Sequence, residues 1–135
     1  MSETILFGFL GHLIGDYLLQ TKNMALNKSA KGWKGFWLCT AHIAIYTASV
    51  CGMVSIVQPI TIEFVASIFF PHWLIDRYSF ASWWLKKIKG RTFVDAFKST
   101  DKYREFDIAF TAIVYTVTDN TFHLLCLVGS TYWFL

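Results

Sequence analysis

Apolar residues fill this chain in four long blocks separated by short polar interruptions. The first runs from about Thr4 to Gln20, the second from about Gly35 to Val57, the third from about Thr61 to Leu85, and the fourth from about Asp107 to the C-terminus. Each approaches or exceeds the roughly 20 residues that carry a helix across a bilayer core. Inside lipid a segment must satisfy its own backbone hydrogen bonds, so each block is predicted to be helical. The expected fold is all-α: one integral membrane domain over residues 1–135, built as a bundle of four transmembrane helices. Between the third and fourth blocks, Phe93, Val94 and Phe97 share one helical face among charged residues. That pattern fits either a short cytoplasmic interfacial helix or a solvated polar loop.

Composition strengthens the membrane reading. Hydrophobic residues make up 55% of the chain and charged residues 16%, against about 25% charged in soluble domains. The charges are also segregated. Lys22, Lys28, Lys31 and Lys34 lie between the first two blocks, and Lys86, Lys87, Lys89, Arg91, Lys98, Lys102 and Arg104 between the last two. The N-terminus, the Gln58-Pro59 connection and the C-terminus carry no Lys or Arg. The positive-inside rule places both basic loops in the cytoplasm and both termini outside. Trp33, Trp37, Trp83 and Trp84 then fall near the cytoplasmic interface and Trp133 near the outer one. The net charge of +3 therefore reads as topology and contact with anionic lipid, not as a nucleic-acid surface. Cys39, Cys51 and Cys126 sit in apolar segments and read as small buried residues. The first block lacks a basic leader and contains His12 and Asp16, so a cleaved signal peptide is not expected.

The candidate chemistry lies within the apolar blocks. All four histidines are there: His12, His42, His72 and His123. His12/Asp16, His72/Asp76 and Asp119/His123 are spaced i,i+4, which puts both members on one helix face. Ionisable groups in a bilayer core are costly and normally face the bundle interior. Three readings follow. The pairs can be polar contacts that hold helices together. They can form a metal centre, since imidazole and carboxylate suit Zn, Mn or Fe. They can also form a proton or ion relay. Seven candidate ligands exceed one tetrahedral shell, so a metal centre would hold two ions or use some carboxylates to orient histidines. Gln20 and Asn120 are candidate substrate contacts, as is Arg77, which can bind a phosphate or snorkel to the interface. Pro71 precedes His72 and frees a backbone carbonyl. Gly8, Gly11 and Gly15 form a small-residue stripe for close helix approach.

The segments GHLIGDYLLQTKNMALNK (11–28), HIAIYT (42–47), HWLIDRYSFASWW (72–84) and DNTFHLL (119–125) give the chain a resemblance to domain of unknown function 3307, a family of small bacterial and phage membrane proteins. More distantly, the His-x-x-x-Asp segments resemble membrane-bound metal-dependent hydrolases, a likeness that implies a metal and a hydrolytic reaction. The first resemblance implies the bacterial inner (cytoplasmic) membrane.

The expected function is a metal-dependent hydrolase of a lipid-linked or phosphoester substrate. One or two divalent ions, Zn or Mn, would be held by His12, Asp16, His42, His72, Asp76, Asp119 and His123, with Asp16, Asp76 and Asp119 the catalytic carboxylates. Membrane lipid and further copies of the chain are the expected partners. The alternative is a non-enzymatic oligomeric membrane protein that conducts protons or ions, or serves as a phage or host membrane component.

Overall fold

A computed structural model describes residues 2–135. Among them there is helix and no strand, as the apolar blocks predict. Helix α1 (Ser2–Leu13) runs into a π-helical turn over Ile14–Leu18. There follow α2 (Lys22–Asn27), α3 (Trp33–Val54), α4 (Ile62–Arg77), α5 (Phe80–Ile88), α6 (Phe93–Lys98) and α7 (Arg104–Phe134). The helices α1, α3, α4 and α7 pack in a closed ring, each against two neighbours, while α2 lies on α3, and α5 and α6 lie on α7.

Local chemistry sets several of these boundaries. Thr21, Thr61 and Thr92 each start a helix by accepting a backbone N–H three residues on, from Met24, Phe64 and Asp95. Such a cap satisfies a donor that the helix itself leaves free. Pro71 sits inside α4 and cannot bond the carbonyl of Ser67. That carbonyl instead accepts the Ser130 hydroxyl of α7 at 3.1 Å, so the missing bond becomes a tie between helices.

The first and third blocks differ from expectation. The first is not one α-helix over 4–20, because its end widens into the π-turn, closed by Leu19 N–H to the Ile14 carbonyl at 3.0 Å. The third is not one helix over 61–85. It breaks at Tyr78-Ser79, where Ser79 adopts a left-handed φ of 49°. The break lets α5 fold back on α7, placing Phe80 and Trp84 rings 4.8 and 5.4 Å from Phe122. No Gly or Pro marks that turn, so the apolar pattern runs through it unbroken. A non-glycine residue in this region costs about 1–2 kcal/mol. Ser79→Gly is therefore expected to raise the unfolding free energy by about 1 kcal/mol, as read by thermal denaturation in detergent.

Two helices among the described residues are long and apolar enough to cross a membrane: Trp33–Val54 and Arg104–Phe134. At about 1.5 Å per residue, the 12 residues of α1 and the 16 of α4 fall short of a bilayer core of about 30 Å. The polar loop region 86–106 does contain a short helix, α6, with Ala96 buried and Val94 and Phe97 exposed.

The apolar core occupies one end of the bundle. Tyr46, Val50 and Val54 of α3 meet Phe64 and Ile68 of α4 and Leu127 of α7 there. The α1–α3 seam is unusually close. A β-carbon on Gly11 would stand 2.6 Å from Val50 Cα, and one on Gly15 would stand 2.9 Å from Tyr46 Cα. The glycines thus bring α1 backbone to backbone with α3 and carry His12 and Asp16 to the bundle axis.

Candidate metal centre

All four histidines converge in the interior, toward the end of the bundle that bears α2 and α5. His12 and His42 are fully buried and His72 and His123 nearly so. Each comes from a different helix of the ring: α1, α3, α4 and α7. The His72 and His123 rings stack at 3.8 Å between centroids, and His42 lies edge-on to His72 at 5.4 Å.

Two carboxylates stand at the centre. Asp76 Oδ2 lies 3.2 Å from His42 Nε2 and 3.4 Å from His72 Nε2, while its Oδ1 lies 3.6 Å from His123 Nε2. Asp16 Oδ1 lies 3.3 Å from His42 Nε2 and 3.7 Å from His72 Nε2, and its Oδ2 lies 3.8 Å from His123 Nδ1. Asp119 Oδ2 is 3.9 Å from His123 Nδ1 at the edge of the cluster. The π-turn carries Asp16, which fits the tendency of such turns to mark functional positions.

These contacts are close but lack hydrogen-bond geometry. Asp16 Oδ1, Asp76 Oδ2, His72 Nε2 and both ring nitrogens of His123 are buried with no hydrogen-bond partner. A buried polar group without a partner costs about 1–3 kcal/mol. A cluster of them is an arrangement that a cation stabilises. Donor atoms held about 2.0–2.2 Å from one ion stand about 3.3 Å apart in a tetrahedron, and the closest separations here are 3.2, 3.3 and 3.4 Å. Three sets of side chains each place one ligand atom within 4.8 Å of the others: His42, His72 and Asp76; Asp16, His72 and His123; Asp76, Asp119 and His123. The His/Asp groups are therefore geometrically able to hold a metal ion. The charges agree, since three carboxylates face one ammonium, Lys28, and a dication balances the remainder.

His12 stands outside those three sets. Asn120 Nδ2 donates to the Thr116 carbonyl at 2.8 Å and to the Tyr17 hydroxyl oxygen, which turns Asn120 Oδ1 toward His12 Nε2 at 2.7 Å. With Nε2–H donating there, His12 turns Nδ1 toward Asp16 Oδ2 at 3.4 Å. Gln20 Nε2 lies 3.0 Å from His42 Nε2. Asn120 thus orients His12, and both amides line a recess of about 160 Å³. Asp16, Asp119, Tyr17, Lys28 and Tyr115 complete its wall.

Arg77 is elsewhere. Its Nη1 donates to the Ala30 carbonyl at 2.8 Å, tying the end of α4 to the loop before α3. Neighbours on a helix point about 100° apart, so Asp76 faces in and Arg77 faces the loop. Arg77→Gln is expected to leave metal content unchanged and to lower stability by about 1–2 kcal/mol, read by elemental analysis and thermal unfolding.

The cation that does reach the site is Lys28, which charge counting alone assigns to topology. Its Nζ lies 2.7 Å from Asp76 Oδ1 and its side chain is mostly buried. Burial works against its charge, but Asp76, together with Asp119 and Asp16, more than offsets this and holds the ammonium above the ordinary lysine range. Nothing periodic marks Lys28, because it sits after the short α2. Tyr115 does carry a signal: Tyr115, Asp119 and His123 step along one helix face at i,i+4.

Residues 4–134 match the family described as Protein of unknown function (DUF3307). No curated protein and no solved structure matches the chain.

Proposed function

We propose that this chain, which belongs to the DUF3307 family, is a multi-pass inner-membrane protein whose buried His/Asp cluster is the metal centre of a hydrolase. The observation that carries the metal reading is the convergence of partnerless buried nitrogen and oxygen atoms from four helices. Asp76 and His72 belong to two of the three ligand sets, which favours Asp76 as the carboxylate shared by one or two Zn or Mn ions. A bound ion of this kind supplies Lewis acidity and a water of lowered pKa.

The chain's own groups then divide the work. Asp119 lies at the edge of the cluster and lines the recess, so it can hold a proton for a reacting water. Asn120 fixes the ring of His12, and Gln20 contacts the His42 nitrogen that would hold the ion and yields it when an ion binds. The apolar plug of Val50, Val54, Phe64, Ile68 and Leu127 keeps water out from the far end and leaves the recess as the entrance. That plug also favours a hydrolase over a relay, because it interrupts any polar path along the bundle axis.

Four spans, with both termini outside, remain the membrane arrangement we favour. The short α1 and α4 then lie within a locally thinned bilayer. The surface supports contact with lipid: Leu18, Trp33, Trp37, Ile62, Phe106 and Trp133 are all more than half exposed. Soluble monomers rarely expose so much apolar area. The reading is tested by assaying purified protein against lipid phosphoesters in Zn²⁺ or Mn²⁺. Metal-dependent cleavage lost in Asp76→Asn supports it, and no cleavage by metal-loaded protein counts against a hydrolase.

A further inference from the structure

Tyr115 is part of the wall of the polar recess beside the cluster. The same residue also lines a second cavity of about 470 Å³, between α5, α6 and α7. That cavity is walled mainly by Leu85, Phe93, Val94 and Tyr115, with Ser82 and Lys86 at its rim. The Phe93 ring packs 5.7 Å from Tyr115, so α6 forms the outer wall. A small polar chamber and a larger apolar one thus share one side chain.

Lys28 sets the chemistry of the small chamber. An ammonium has three donors. Asp76 Oδ1 takes one direction at 2.7 Å, leaving the others for the recess that Lys28 lines. Of the two cations on the large chamber, Arg91 is already held, its Nη1 donating to Asp107 Oδ1 at 2.9 Å and to Thr111 at 3.1 Å with its guanidinium over Phe110, and Lys86 is exposed at the outer edge. Asp16 and Asp119 also face the recess, so an anion enters it most readily once a divalent cation compensates them.

We propose, resting on the metal-centre reading above, that the substrate is a single-chain anionic amphiphile. Its oxyanion head binds Lys28 in the recess, and its hydrocarbon chain passes Tyr115 into the cavity beneath α6. Tyr115 and Val94 then select for the chain, and Lys28 for the charge.

The test titrates hexyl phosphate, inorganic phosphate and hexanol into the full-length protein in detergent, with and without Zn²⁺, by calorimetry. In the Zn²⁺-loaded protein, hexyl phosphate is expected to bind at least about tenfold more tightly than inorganic phosphate, because its chain leaves water. Hexanol is expected to show no binding over the same range. Lys28→Gln should weaken both phosphates by at least about tenfold, the effect of losing a charged hydrogen bond, and Lys28→Arg should restore most of it. Val94→Trp, at an exposed position on the cavity wall, should remove the advantage of the hexyl chain and leave inorganic phosphate unchanged. Hexyl phosphate no tighter than inorganic phosphate, or binding indifferent to Lys28→Gln, overturns the proposal. A Zn²⁺ titration alone separates the two readings. If the wild type takes up no metal, the hydrolase reading fails, and the same pattern of variants in the metal-free protein decides this one.

Discussion

Asp76→Asn is expected to weaken divalent-metal binding by at least about a hundredfold. Loss of a group that merely supports a ligand already costs about 10–100-fold, and Asp76 belongs to two of the three ligand sets. Its oxygens lie 3.2, 3.4 and 3.6 Å from three different imidazoles, and Asp16, which faces the same three rings, stands farther from each at 3.3, 3.7 and 3.8 Å. Asparagine keeps the shape and removes the charge. The substitution also strands Lys28, whose ammonium is 2.7 Å from the same carboxylate. Breaking a buried ion pair by removing one partner costs about 3–5 kcal/mol. The single variant should therefore lose both metal and thermal stability, whereas Lys28→Met combined with Asp76→Asn should regain most of the stability and none of the metal. Calorimetric metal titration and thermal unfolding in detergent read the two effects separately. A variant that keeps wild-type metal affinity would show that Asp76 only pairs with Lys28.

Gly11→Val should prevent α1 from docking. A β-carbon there meets Val50 Cα at 2.6 Å and the Ser49 carbonyl oxygen at 2.9 Å. Both are backbone atoms of α3 and cannot rotate aside. Overpacking against side chains costs about 1–3 kcal/mol, and against backbone the helices must separate. His12 and Asp16 ride on the same segment, so the metal centre should open with the seam. Gly52→Ala is the matched control. A β-carbon at Gly52 meets nothing within 4 Å, and replacing a helical glycine there should stabilise by about 0.5–1 kcal/mol. Equal unfolding temperatures for the two variants would contradict the packing described for α1 and α3.

The sequence made the helical content and the inward cluster legible for one reason. Ionisable residues in apolar blocks have few places to go, and their i,i+4 spacing gives each a direction. His72/Asp76 and Asp119/His123 needed no more than that. The π-turn at Ile14–Leu18 and the break at Ser79 were hidden because apolar composition is indifferent to local backbone geometry. Lys28 was hidden because a chain's return from a loop into a helix bundle depends on where α2 packs. Arg77 was legible only as either a phosphate contact or an interfacial side chain, and its bond to the Ala30 carbonyl needed three dimensions. Gln20 was visible as a polar residue at the end of the first block and Asn120 as one beside Asp119, but their hydrogen bonds to His42 and His12 needed three dimensions. Composition also counts residues and does not see that α1 and α4 are short, so among the described residues α3 and α7 alone of the four expected spans are long and apolar enough by themselves to cross a bilayer.

The most direct measurement is elemental analysis of detergent-purified protein that retains its native assembly, for the wild type, His72→Ala and His12→Ala. His72 belongs to two ligand sets, and His12 is held by Asn120 outside all three. The wild type should carry one or two divalent ions per chain, His72→Ala should carry almost none, and His12→Ala should keep most of its metal. A correctly assembled wild type without stoichiometric metal, or a His72→Ala variant that matches it, would contradict a metal centre in this bundle.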